Sequence, residues 1–451
     1  MMQLEQALRV RNHDVIAFVG AGGKSTAMLR LADELVAQGK RVIVTTTTRL
    51  FAAQALEASD RPPLRYERSD DFLAHVRAAL AIQPKILIVG EDVADGKVAG
   101  VPPAFIDELA ASGAADAVLC EADGARMLPF KAPAAHEPVL AASTTLLVPV
   151  IGVTALGAPL DDVRVHRAEI VARLAGARPG AIVTPTIAAR VLAHPEGGLK
   201  AKPRNARVVA LVNQVEDEAQ LDAARQLARL LLGYKQISAV AIGAAQHDEP
   251  IRETHRRVAA IVLAAGGGTR MQGRVKQLLP WRGKTLIENA IELAASSRAV
   301  ETLVVLGANA AQIRAAIRGA PARVVLNRDW ETGHASSIRV ALNALSREID
   351  AAIFVNADQP FISAHVIDQI IQRYYETGAP IVVPRYAGQR GSPVLFNRAH
   401  FDELARLHGE QGGRELLSKD QAQIQLVEFA DARLALDIDT PEEYENIVIE
   451  N

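Results

Sequence analysis

Two aliphatic runs in this chain break into glycine-rich loops that carry basic residues, and this pattern admits few folds. The first run, Val15 to Val19, enters Gly20, Gly22, Gly23, Lys24, Ser25 and Thr26. The second, Ile261 to Ala265, enters Gly266, Gly267 and Gly268, with Arg270 and Lys276 beyond. A buried strand feeding such a loop brings bare backbone N–H groups close to a bulky anion, and guanidinium or ammonium groups offset its charge. Strand-like runs alternate with alanine-rich helical patterns along the whole length, which predicts an α/β fold with largely parallel sheets. Apolar residues make up 49% and aromatic residues 4%. Ala, Val, Leu and Ile therefore do most of the filling, as suits strands buried on both faces between helices.

At 451 residues the chain is too long for one ordinary core. The polar segment 244–257, AAQHDEPIRETHRR, reads as the join between a P-loop-like parallel-sheet domain over 1–250 and a second domain over 257–451. A net charge of −2 gives no global attraction to nucleic acid or to an anionic membrane. The single cysteine, Cys120, excludes an internal disulfide and a cysteine-built metal site, and favours a reducing compartment. The charged amino terminus lacks an apolar signal core, and no apolar run approaches the ~20 residues of a membrane span, so the expectation is a soluble cytoplasmic protein.

Strand, loop, helix and strand follow one another over Val15 to Thr45, the context that a P-loop requires. There the backbone amides would bind the β-phosphate, Lys24 would reach the β/γ oxygens and Ser25 would offer Mg²⁺ a hydroxyl. The pattern departs from a Walker A at its first glycine, where Phe18 stands, and the competing reading is a tight structural turn with a solvated Lys24. Glu121 and Asp123 end an apolar run, the position of a Walker B acid. Asn213-Gln214-Val215-Glu216 ends another and is similar to a degraded Asn-Lys-x-Asp base-recognition motif, or is a strand end followed by a polar loop.

Five ordered segments carry a resemblance for the C-terminal half: IVLAAGGGTRMQGRVKQLLPW (261–281), NRDWETGHASSIRVAL (327–342), FVNADQP (354–360), GSPVLF (391–396) and LDIDTPEEY (436–444). Together they resemble the MocA-type molybdenum cofactor cytidylyltransferases. GAGGKST, TTTTRLF and EADGARMLPFKAPAAHEP resemble the YqeC-like accessory proteins of selenium-dependent molybdenum hydroxylases. The resemblance implies a Rossmann-like nucleotidyltransferase domain whose substrates are CTP and molybdopterin. It implies that Leu263, Ala264, Ala265 and Gly266 to Gly268 bind the nucleotide, and that Gly333, Ser336 and Ser337 flank its base. Ala265 stands where guanylyl-transferring relatives usually have glycine. Gln272 is inserted relative to the family, so Lys276 lies one residue further on.

Asp358 lies at the carboxyl end of an apolar run, where α/β folds bind ligands, and is the expected Mg²⁺ ligand, the competing reading being a helix N-cap or turn aspartate. Asp437 and Asp439 are two apart and point the same way in an extended segment; one of them, with Asp439 preferred, completes the metal site, or Asp439 caps the helix that starts at Thr440-Pro441. Arg270 and Lys276 would stabilise departing pyrophosphate. Trp281 and Trp330 are expected to pack, with stacking on a pterin open to either, and Ser392 stands where many relatives have histidine. For the N-terminal half the resemblance implies maturation of a molybdenum hydroxylase of the xanthine dehydrogenase type, or work with its chaperone, using ATP or GTP. The alternatives are a guanylyltransferase, a sugar- or polyol-phosphate cytidylyltransferase, or a non-catalytic carrier of the cofactor.

Overall fold

The computed structural model describes residues 2–51, 62–69, 71–94, 96–411, 413, 416–417 and 421–449. The chain divides into two compact units, Met1–His255 and Arg256–Asn451. Among the described residues no helix is long and apolar enough to cross a membrane.

The N-terminal unit is built on a nine-stranded sheet. Its strands run in the order Ile251–Arg256, Ala239–Gly243, Arg207–Asn213, Leu146–Gly152, Asp14–Gly20, Ala117–Glu121, Val42–Thr46, Lys85–Val89 and Leu64–Arg65. Asp14–Gly20 is central and pairs in parallel with both neighbours, so its residues are buried from either side. Ile16 and Phe18 pack into one apolar layer with the helix Lys24–Ala37, whereas Val15 packs into the other with helices Phe72–Ile82 and Pro103–Ser112. Successive side chains of a strand point to opposite faces, so an unbroken aliphatic run supplies both layers. Cys120 lies in this core, and burial pushes its thiol up to about 12, which leaves it unreactive.

One expectation is corrected here. The polar segment read as an interdomain loop contains the edge strand Ile251–Arg256 of the N-terminal sheet. Its charged residues hide the strand pattern because they are compensated in place. Glu253, 1% exposed, accepts from Arg225 Nε at 2.9 Å and lies 2.7 Å from His255 Nε2.

The C-terminal unit contains an eight-stranded mixed sheet. Arg323–Leu326, Glu301–Leu306, Val258–Ala264 and Ala351–Asn356 form its parallel half. Val394–Asn397 and Ile381–Tyr386 add antiparallel pairs, and Ile424–Phe429 lies parallel to the latter. Val258, Ala260 and Val262 face one apolar layer and Ile261 the other. The sheet order puts the end of Val258–Ala264 between the ends of two parallel neighbours, and that position is where the site forms.

Burial alone would raise the Glu253 carboxyl, but His255 and Arg225 outweigh it and hold it down at about 2. A depressed carboxyl stabilises the fold above its unfolded pKa of ~4.3, and that contribution is lost as pH falls towards 2. Glu253→Gln leaves Arg225 and His255 facing a neutral amide in a buried place. The expected outcome is a loss of about 3 kcal/mol at pH 7, read by urea unfolding under circular dichroism, with the difference from wild type shrinking below pH 4.

Candidate functional site

In the C-terminal unit, Val258–Ala264 and Ala351–Asn356 run in register with Leu263 opposite Asn356. The chain beyond each strand therefore emerges on the same sheet edge, with Ala265 to Gly268 on one side and Asp358 on the other. Gly268 takes a left-handed conformation (φ 58°) and caps the short 3-10 turn Thr269–Met271. Gln272, the additional residue, ends that turn in a left-handed conformation and is followed by Gly273 at φ 84°. The insertion is absorbed in this turn, and Lys276 still reaches the site.

Lys276, 9% exposed, donates from Nζ to Asp358 Oδ2 at 2.6 Å and to Asp439 Oδ1 at 2.9 Å. Arg270 lies 3.1 Å from the other oxygen of Asp439. Burial works against the Lys276 ammonium, but the two carboxylates more than offset it and raise its pKa. Asp439 is lowered by its hydrogen bond with Lys276, against the opposing effect of burial, with further help from Arg270. Desolvation, with Asp358 and Asp439 close by, pushes the Asp437 carboxyl up to about 6. Asp439 does not cap the following helix. Glu443 accepts from the N–H groups of Asp439 and Thr440 at 2.7 and 2.9 Å, and the Thr440 hydroxyl accepts from Glu443 N–H at 3.3 Å. Thr440 and Glu443 thus form a capping box, which leaves the Asp439 side chain to the cavity.

A cavity of about 530 Å³ is lined by Leu263 to Arg270, Lys276, Trp330, Gly333, Ser337, Asp358 and Asp439, among others. Ser336 does not border it. Its hydroxyl donates to Gly333 carbonyl oxygen at 2.7 Å and accepts from Asn327 Nδ2 at 2.8 Å, which also reaches Ser337 at 3.0 Å. Gly333 has φ 104°, and a Cβ there would stand 2.3 Å from the Gly409 backbone, so only glycine admits this approach. Trp330 borders the cavity, whereas Trp281 is buried edge-on against Phe361.

Sequence reasoning passed over Gln277. It is 7% exposed and donates from Nε2 to Gly266 O at 2.9 Å and Ala264 O at 3.3 Å, which holds the glycine loop open to the cavity. Its one signal was its place directly after Lys276. A second cavity, about 590 Å³, has apolar walls that include Ile338, Phe354, Val394 and Phe396, with Arg390 and Ser392 at its polar side. Leu263, His334, Asn356 and Glu410 border both cavities, so ligands in the two would meet there.

The donor set fits a hard cation. Asp358 Oδ1 is buried without a hydrogen-bond partner, an orphan carboxylate oxygen in a polar cavity. Among the described residues no group of three or more His, Cys, Asp or Glu side chains could hold a metal ion. An ion on Asp358 and Asp439 would need oxygens from substrate and water as well, as Mg²⁺ commonly does.

In the N-terminal unit, the strand Asp14–Gly20 runs straight through Phe18, which is fully buried, and the loop shrinks to Gly20–Gly23 before the helix begins at Lys24. A Cβ on Gly22 would stand 2.0 Å from Gly152 N, so part of the glycine content serves packing against the next strand. Lys24 is not solvated. It is 3% exposed, donates to Gly20 O at 2.7 Å and lies 3.2 Å from Asp123 and 3.6 Å from Glu121. Ser25 donates to Glu121 Oε2 at 2.6 Å. Asp123 accepts from Gly20 N–H and is shared by Lys131 at 3.0 Å. Thr26 occupies the first turn of the same helix.

Known proteins resemble each unit separately. A family model described as YqeC protein matches residues 16–169, and one described as MobA-like NTP transferase domain matches residues 260–424. The YqeC protein of Escherichia coli (strain K12) is 34% identical over 200 residues, which make up 44% of this chain and 75% of that protein. The nicotine blue oxidoreductase of Paenarthrobacter nicotinovorans is 29% identical over 197 residues, 41% of this chain and 94% of that one. Among solved structures, Rv0371c from Mycobacterium tuberculosis H37Rv is 31% identical, covers 43% of this chain and 97% of its own, and has a TM-score of 0.38. The chain belongs to the YqeC family through its N-terminal half, and its C-terminal half is a MobA-like NTP transferase domain.

Proposed function

We infer that the C-terminal unit transfers a cytidylyl group from CTP to the terminal phosphate of molybdopterin, giving the cytosine dinucleotide cofactor and pyrophosphate. The observation that carries this reading is the cluster of Lys276, Asp358, Asp439 and Arg270 under a glycine loop, in a cavity that shares four bordering residues with a second one. The match to the MobA-like NTP transferase model supports it.

In this reading the triphosphate lies along Ala265 to Gly268, with its negative charge offset by Arg270 and Lys276. The second cavity takes the pterin on its apolar walls, and Arg390 faces the acceptor's phosphate. An oxygen of that phosphate attacks the α-phosphorus of CTP, the bond from the α-phosphorus to the bridging β-oxygen breaks, and pyrophosphate leaves with the electron pair. No covalent enzyme intermediate is involved, so the protein's part is alignment and charge stabilisation. A Mg²⁺ held by Asp358 and Asp439, when bound, supplies positive charge at the α-phosphate. Gln277 keeps the loop carbonyls fixed while the charge moves. Ala265, where guanylyl-transferring relatives usually have glycine, is what favours CTP over GTP in this reading.

The N-terminal unit is a nucleotide-binding accessory in the same reading, with Lys24, Ser25 and Glu121 at its phosphate site. It serves a molybdenum hydroxylase that receives the finished cofactor. Neither nucleic acid nor membrane has a part in the account, and its setting is the cytoplasm.

Purified protein with Mg²⁺, molybdenum-loaded cofactor and CTP is expected to release pyrophosphate, with GTP at least about tenfold less effective. Equal or greater release with GTP would overturn the weight placed on Ala265. Asp358→Asn is expected to lower kcat by about 10²-fold or more while CTP still binds, as measured by calorimetry. Gly333→Ala, which forces Gly409 and its neighbours away, is expected to raise KM for CTP more than it lowers kcat.

A further inference from the structure

The N-terminal unit holds an arrangement that cytidylyl transfer does not use. The strand Arg207–Asn213 ends in Asn213-Gln214-Val215-Glu216, beside the end of Ala239–Gly243. Asn213 is 3% exposed and donates from Nδ2 to Gly22 O at 2.9 Å, while its Oδ1 accepts from Ala245 N–H at 2.9 Å. One side chain thus ties the glycine loop to the turn that follows the neighbouring strand. Gln214 adopts φ 64°, and its amide lies against the same loop: a Cβ on Gly23 would stand 4.0 Å from Nε2.

Three residues after Asn213, Glu216 presents a carboxylate to the turn that Asn213 anchors. Its Oε1 accepts from Gln246 Nε2 at 2.9 Å, and Oε2 lies 2.8 Å from His247 Nε2. The Glu216 side chain is 42% exposed, so it can exchange these partners for a ligand. The loop carries Lys24 and the Ser25–Glu121 pair, and Asn213 joins it to the turn that Glu216 contacts.

We propose that the N-terminal unit binds a guanosine nucleotide, with its phosphates on Gly20 to Ser25 and the Watson–Crick edge of guanine on Glu216. Guanine presents two adjacent donors there, N1–H and the N2 amino group, and a carboxylate accepts both. Adenine presents a lone pair at N1 in the same place, which would face the carboxylate unpaired. The proposal rests on the Gly20–Ser25 loop being a phosphate site and is independent of the C-terminal reaction.

The test uses the full chain with Mg²⁺ and fluorescent N-methylanthraniloyl derivatives of GDP, ADP and XDP. Wild-type protein is expected to bind the GDP derivative at least about tenfold more tightly than the ADP derivative, as one bidentate contact provides. Glu216→Gln is expected to weaken GDP by about tenfold and to strengthen XDP. A glutamine amide offers one acceptor to N1–H and one donor to the O2 of xanthine. Loss of a merely structural carboxylate would not exchange one base preference for the other. Equal affinity for ADP and GDP, an unchanged GDP to XDP ratio in Glu216→Gln, or no binding of any of the three would overturn the proposal. Pyrophosphate release reads the other unit, so either account can fail while the other stands.

Discussion

The Lys276 ammonium, held between Asp358 and Asp439, is the interaction on which the C-terminal site depends. It joins segments 82 and 163 residues apart in the chain. Without it, two carboxylates would face one another across the cavity with no cation between them. With it, Asp439 is held in its charged form, and the pair is available to a cation or, through Lys276, to phosphate oxygens. Burial disfavours the ammonium by itself, the carboxylates more than offset it, and Lys276 in turn holds the Asp439 carboxyl down.

The N-terminal unit reaches a related solution from a different loop. Lys24 is folded back onto Gly20 O and faces Asp123 and Glu121, which end the adjacent parallel strand or follow it. In both units a glycine loop leaves a central strand, and the acid comes from a parallel neighbour. This follows from the sheets themselves. Parallel strands bring all their carboxyl ends to one edge, so loops far apart in sequence gather there without special long-range design.

Much of this was legible in the sequence because the signals are local. Uninterrupted aliphatic runs announce strands buried on both faces, and glycines followed by Lys24, or by Arg270 and Lys276, announce loops with an anionic purpose. What was hidden depends on partners far along the chain. Ile251–Arg256 reads as a charged linker until Arg225 and His255 are seen to neutralise Glu253. Ser336 and Ser337 look equivalent in sequence, yet only Ser337 borders the cavity, while Asn327 and Gly333 hold the Ser336 hydroxyl inside. Asn213 reads equally as the start of a degraded base-recognition motif or as a strand end, and only the fold shows it bonded to Gly22. The second cavity is assembled from four of the quoted segments, from Leu263 to Phe396, together with residues outside them such as Leu404 and Leu417, and their convergence is visible only in the fold.

The central claim is that the C-terminal cavities bring two substrates together for transfer at an α-phosphate, and do not merely hold a cofactor for delivery. Its most direct test follows radiolabel from [α-³²P]CTP in the presence of protein, Mg²⁺ and molybdenum-loaded molybdopterin. The account predicts that the label appears in the cofactor, in a species that nucleotide pyrophosphatase cleaves to CMP. Cofactor bound to the protein, with all label remaining in CTP, would contradict it and leave a carrier.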